Sequence, residues 1–151
     1  LPACQLQPVY SASGRAASQG LLGRVEVAPI AERTGFLVQG ELESRLAPGP
    51  GAGAPRYRLA VVLDDRIEGF GVRGDNTIVR ERRTLRARYS LTDLESGKVV
   101  FESVAGADAG IDVVGSEYAV VAGEVTAVER LAEAVADQIV GRLAIFARRG
   151  S

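Results

Sequence analysis

Apolar and polar residues alternate with a period of two through the middle of the chain, and apolar residues recur every three to four positions on either side of it. In YRLAVVL, Tyr57, Leu59, Val61 and Leu63 fall on one face of an extended chain. In TLRARYSLTD, Leu85, Ala87, Tyr89 and Leu91 do the same, with Arg86, Arg88, Ser90 and Thr92 opposite. KVVFESV follows a turn at Glu95-Ser96-Gly97, and another turn falls near Asp75-Asn76. Three sequential strands joined by turns pair most simply as an antiparallel meander. They run long, the second and third reaching about 10–15 residues where about 5–6 is usual.

Upstream, LLGRVEVAPI sets Leu22, Arg24 and Glu26 against Gly23, Val25 and Val27 until Pro29 closes it, the pattern of a short first strand. From Arg33 to Ala47, Val38, Leu42 and Leu46 recur every four residues and Glu41 precedes Arg45 by four, which predicts an amphipathic helix with one surface pair. PGPGAGAP (48–55) cannot continue it and reads as a loop. Downstream, Val121, Val125, Val128, Ala132, Val135, Ile139, Leu143 and Phe146 form one helical stripe. Ser116 stands where an N-cap belongs, Glu117 suits the positive N-terminal end, and Arg142, Arg148 and Arg149 suit the other. The order β-α-β-β-β-α follows. It predicts an α+β fold: two helices packed on one face of a four-stranded, mixed but mostly antiparallel sheet. Residues 1–20 read as an extended leader, small and polar over most of its length, and 21–149 as a single domain.

Composition narrows what such a domain can do. About half the residues are apolar and a quarter charged, which argues for a folded chain. A net charge of −1 offers no global attraction to nucleic acid, and no nucleic-acid partner is expected. No apolar run approaches the ~20 residues that span a bilayer. There is no histidine, which excludes Ser-His-Asp and Cys-His catalysis and His-ligated metals. The lone Cys4 cannot form an internal disulfide. Catalysis would have to rest on carboxylates, tyrosine or the single Lys98, and no catalytic residue or metal site is assigned.

Three local patterns invite chemistry. GFGVRG (69–74) has the G-x-G-x-x-G spacing, but no helical stripe follows it, so it reads as an irregular strand end and turn. Asp64 and Asp65 are adjacent and point to opposite faces of a strand, so they read as a solvated strand end. RERRTLRAR (80–88) is the one charge cluster. Arg80, Arg82, Arg86 and Arg88 share parity, and Arg58 matches them on the preceding strand, giving a stripe of guanidinium forks suited to phosphate and carboxylate. The same stripe could simply keep a long strand solvated. Glu81 and Arg83 would face the apolar side, so that end lies beyond the helices or a bulge intervenes.

The start of the chain can now be placed. L-P-A-C resembles the tail of a bacterial lipobox, and CQLQPVY resembles the C-G-x-x-P-L/V-Y start of mature lipoproteins of the lipopolysaccharide-assembly family LptE, in its alphaproteobacterial branch. IAERTGFLVQGELESRL, YRLAVVL, TLRARYSLTDLESGKVV and SEYAVVAGEVTAVERLAEAVADQIVGRLAIF continue the resemblance in order. It implies a non-enzymatic lipoprotein on the periplasmic side of the outer membrane, with a covalent lipid on Cys4 and no other cofactor. The implied partners are the LptD β-barrel, which such proteins plug and help assemble, and lipopolysaccharide. Arg58, Arg80, Arg82, Arg86 and Arg88 are then the candidate lipopolysaccharide-binding residues. The alternative is an envelope lipoprotein or periplasmic module that binds a different anionic ligand or a protein partner through the same face.

Overall fold

The computed structural model describes residues 19–72, 74, 78–113 and 116–150; Cys4, most of the leader and the turn near Asp75-Asn76 lie outside them. The order is a helical turn at 19–22 (α1), β1 (Val25–Val27), α2 (Glu32–Arg45), β2 (Tyr57–Val72), β3 (Ile78–Asp93), β4 (Val99–Asp112) and α3 (Glu117–Arg149). The sheet runs β1-β2-β3-β4, with β1 parallel to β2 and both other pairs antiparallel. This is the α+β fold expected from the pattern. Two differences are local. The first strand is only three residues long, because 19–22 coil into a helical turn closed by Gly23 N–H donating to Gln19 O at 3.0 Å. The meander is longer than expected, with 16 residues in each of β2 and β3.

Odd-numbered residues of β2, β3 and β4 face the helices. Leu59, Leu85 and Leu91 are fully buried there against Val38 and Leu42 of α2 and Val135, Ile139 and Leu143 of α3. Phe101 continues the layer, its ring 5.1 Å from that of Phe146. The lengths match: 33 helical residues at 1.5 Å rise give about 50 Å, and 16 strand residues at 3.3 Å give about the same. Ser116 caps α3 as its position implied, its hydroxyl accepting from Ala119 N–H. Arg45 bonds both Glu41 on its own helix and Asp137 of α3, the latter at 2.6 Å, which ties the two helices together.

The apolar stripe of α3 is not buried along its whole length. Val128 to Leu143 are core, but Val121 is 57% exposed and Val125 37%. The cause lies beneath them. At this end the inward face of β2 and β3 carries Asp65, Glu81 and Arg83, so polar groups interrupt the apolar layer that the rest of the stripe covers. They line a hollow of about 230 Å³ instead, with Leu37, Thr34 and Arg83. Tight packing recurs at the start of α2, where a Cβ on Gly35 would lie 2.8 Å from Ile30 O.

Candidate functional site

The even-numbered residues of the meander form the face away from the helices. The register places Arg58, Arg66, Arg80, Arg82, Arg86 and Arg88 on it together with Glu26, Asp64, Glu68, Glu102, Asp108 and Asp112. The five arginines of the stripe are therefore brought onto one face. That face, however, is charge-balanced rather than basic, because neighbouring strands supply as many carboxylates as arginines. Arg58 reaches Glu26 at 2.7 Å, Arg80 reaches Asp112 at 3.0 Å and Arg82 lies 3.9 Å from Asp108. Asp64 is taken by Arg66 at 3.0 Å.

Arg86 and Arg88 differ from the rest. Neither has a carboxylate within ion-pair distance or a hydrogen-bond partner among the described residues. Arg86 lies across Gly106, whose missing side chain leaves room for it: the Arg86 Cγ would stand 3.5 Å from a Cβ built there. Arg88 stands between Val62 on β2 and Val104 on β4 in one cross-strand row. Those valines are 62% and 46% exposed on the side of the sheet that none of the described helices covers. Ala60, Val62, Arg88, Ser90, Glu102 and Val104 line a shallow hollow of about 400 Å³. Its chemistry is mixed: apolar walls beside a guanidinium whose donors are not committed to a neighbour.

The helix side of the sheet holds a group that the sequence pattern had placed differently. Asp65 is not a solvated strand end. It faces inward, and Arg83 grips both its oxygens, Nε donating to Oδ1 at 2.9 Å and Nη2 to Oδ2 at 2.7 Å. The buried Thr34 of α2 donates its hydroxyl to Asp65 Oδ2 at 2.7 Å. The hydrogen bonds from Arg83 hold the Asp65 carboxyl below its ordinary range; burial opposes this and is outweighed, while the Thr34 hydroxyl and the positive charge of Arg83 add to the lowering. No bulge intervenes here, since the β2–β3 register is continuous from Tyr57↔Asp93 to Phe70↔Arg80. Nor does this end lie beyond the helices, because α2 begins directly over it. Arg83 faces inward because it has a partner there. Asp65 shares parity with Leu59, Val61 and Leu63, and that shared parity, read together with Arg83, was the signal for the pair.

Other motifs resolve simply. Residues 69–72 of GFGVRG belong to β2, and the next described element is β3, not a helix. Among the described residues no group of three metal-ligating side chains converges.

Fold and face together define a two-layer α+β module with one sheet face left uncovered by the described residues. The family model for lipopolysaccharide assembly, LptE, matches residues 22–143, and the chain belongs to that family. Among solved structures, a putative lipoprotein from Caulobacter crescentus CB15 superposes with a TM-score of 0.72 at 24% identity, covering 88% of this chain and 97% of its own. A minor lipoprotein from Acinetobacter baumannii gives 0.64 at 13% identity, covering 83% and 94%. Rare lipoprotein B from Shewanella oneidensis gives 0.60 at 10% identity, covering 81% and 94%. These likenesses establish the shared fold. No curated protein matches the chain.

Proposed function

We propose that this chain is a lipid-anchored, non-enzymatic component of lipopolysaccharide assembly that seats within an LptD-type β-barrel in the outer membrane and binds lipopolysaccharide through its open sheet face. Membership of the family supports the assembly role. Among the described residues no helix is long and apolar enough to cross a membrane. The likeness of the chain's start to a lipobox supports attachment through a lipid on Cys4. Several acyl chains give stable anchoring where one does not, each buried methylene contributing about 0.8 kcal/mol.

One observation carries the ligand reading: the uncommitted Arg88 between two exposed valines, with Arg86 one row away. Lipid A presents phosphates beside acyl chains, and this row offers guanidinium donors beside exposed apolar side chains. Arg58, Arg80 and Arg82 already face carboxylates, so a phosphate would have to displace those partners. The working pair within the stripe is therefore Arg86 and Arg88. Charge-assisted hydrogen bonds are about twice as strong as neutral ones, yet exposed contacts taken singly are worth only about 0–1 kcal/mol. Affinity must come from several such contacts together with burial of acyl carbon.

The test is isolation of the full-length protein from cell envelopes. The barrel and lipopolysaccharide should co-purify, and mass spectrometry should find diacylglyceryl on the Cys4 sulfur and an acyl chain on its amine. An unmodified Cys4, or a preparation without the barrel, contradicts this reading.

A further inference from the structure

One end of the molecule gathers exposed apolar side chains and cations. β1 and β2 start there side by side, and Arg24 O accepts from the N–H groups of Arg56 and Tyr57. β3 finishes there and turns through 94–98 into β4, with Asp93 N–H donating to Lys98 O at 2.9 Å. α3 runs antiparallel to β4 and brings its C-terminal end to the same place. The Gln138 side-chain amide donates to Gly106 O at 2.9 Å and accepts from Gly106 N–H at 3.2 Å. One turn on, Arg142 donates to Val104 O and, at 2.9 Å, to Ser103 Oγ. A turn beyond that, the Phe146 ring meets Phe101, so Arg149 falls toward the start of β4.

Leu94, Val99, Val100 and Ile145 are all exposed at this end. The register passes from Leu91↔Phe101 directly to Thr92↔Val99, so Val100 is an extra residue on β4 and breaks the alternation that would hide one of the two valines. Lys98, Arg142 and Arg149 are exposed too, and none has a carboxylate within ion-pair distance among the described residues. Arg24, Arg56 and Arg148 bring the cations to six, against the carboxylates of Asp93, Glu95 and Glu102, apart from the Glu26–Arg58 pair. Arg149 also suits the negative end of the helix dipole, but Lys98 lies on a turn, where that reason does not apply. The other end of α3 differs. Tyr118 and Val121 are exposed there as well, yet the charges beside them are Glu117 and Glu124 against Arg33.

We infer that this end docks on anionic phospholipid headgroups of the leaflet that holds the Cys4 lipid, with Lys98 and Arg149 at the phosphates and Val99, Val100 and Ile145 in the interface. Two observations select that occupant. The first is charge: anionic headgroups attract basic residues by roughly fivefold in affinity each, and long basic side chains keep their charge in water while their stems lie on apolar surface. The second is position. Gln19 stands at this end, sharing a hollow with Arg24, Arg45 and Gly49, and the chain from Cys4 to Gln19 reaches at most about 50 Å. The anchor therefore brings this end to the bilayer before any other. Acyl chains hold the domain to the membrane but leave its orientation free, and the contact fixes that orientation. The inference rests on the lipid anchoring proposed above and adds the surface that meets the bilayer.

Co-sedimentation of the full chain, without its lipid, with phosphatidylcholine vesicles containing or lacking phosphatidylglycerol tests it at low ionic strength. The parent should bind the phosphatidylglycerol vesicles at least about tenfold more tightly than the neutral ones. That preference should vanish at 1 M salt, where charges are screened beyond about 3 Å. Lys98→Gln/Arg149→Gln, both at exposed positions, should fold normally and bind the anionic vesicles at least about tenfold more weakly. Tyr118→Ser/Val121→Ser at the opposite end and Arg86→Ala/Arg88→Ala on the open sheet face should each stay within about threefold of the parent. A parent with no preference for anionic vesicles overturns the inference. So does a Lys98→Gln/Arg149→Gln variant that binds them as the parent does; if that variant no longer recovers the barrel, this end is a protein contact. A loss confined to Arg86→Ala/Arg88→Ala overturns it too and moves the contact to the sheet face. No arm uses the Cys4 lipid, so an unmodified Cys4 in envelopes would contradict the anchoring reading separately from these results.

Discussion

Replacing Arg83 with alanine should destabilise the domain by about 2–3 kcal/mol. Removing one member of a fully buried ion pair costs about 3–5 kcal/mol, because the other charge is left uncompensated. Arg83 and Asp65 are nearly buried, at 15% and 17% side-chain exposure, and Thr34 would keep its bond to the carboxylate, so the lower value applies. In a domain of this size such a loss lowers Tm by roughly 5–10 °C. Urea denaturation at pH 7 measures it directly. The loss should also depend on pH. Asp65 has a depressed folded-state pKa, led by the Arg83 hydrogen bonds. Its stabilisation is therefore complete above the ordinary carboxylate value of about 3.9 and disappears as pH falls through the lower folded value. The gap between parent and Arg83→Ala should accordingly narrow below about pH 4. Substituting both partners, as Asp65→Leu/Arg83→Met, should restore stability to within about 1 kcal/mol of the parent, since apolar replacement of a buried pair is often neutral. A loss under about 0.5 kcal/mol for Arg83→Ala, or a double variant as weak as the single, would show that the pair is not acting as a desolvated unit.

Three further outcomes are expected from the packing. Ile139→Ala should cost about 2–5 kcal/mol by chemical denaturation, whereas Val121→Ala, on the exposed end of the same stripe, should stay within about 0.5 kcal/mol. Gly35→Ala should cost about 1–3 kcal/mol, because the new methyl meets the Ile30 backbone, which a rotamer change cannot move aside. Gln138→Ala should cost about 1–2 kcal/mol and speed exchange of the Gly106 amide, which loses its acceptor.

The layer architecture was legible because periodicity is set by burial, and burial here is strong. Val38, Leu42 and Leu46 announce α2, and Leu85, Ala87, Tyr89 and Leu91 announce β3, each with one apolar face against the same core. The stripe of α3 was legible in period and not in extent. Val121 and Val125 carry the right spacing, but what lies beneath them depends on which strand residues stand opposite, a tertiary fact. The candidate site followed the same division. Parity alone gathers Arg58, Arg80, Arg82, Arg86 and Arg88 on one face, yet whether each is paired depends on the cross-strand register. Only that register puts Glu26 beside Arg58, Asp112 beside Arg80 and valines on both sides of Arg88.

The central claim is that Arg86 and Arg88 bind lipopolysaccharide, and the direct measurement is lipopolysaccharide binding by the lipid-free domain. Three proteins suffice: the parent, Arg86→Ala/Arg88→Ala and Arg80→Ala/Arg82→Ala. All should fold normally, because these side chains point away from the core. Two exposed charge-assisted contacts together are worth about 1–2 kcal/mol, so Arg86→Ala/Arg88→Ala should bind roughly 5- to 30-fold more weakly. The paired arginines contribute less, and Arg80→Ala/Arg82→Ala should stay within about threefold of the parent. The difference should shrink at high salt, where exposed charges are screened beyond about 3 Å at 1 M. A parent that does not bind lipopolysaccharide, or an Arg86→Ala/Arg88→Ala variant that binds it as the parent does while no longer joining the barrel, would contradict the account and make this face a protein interface.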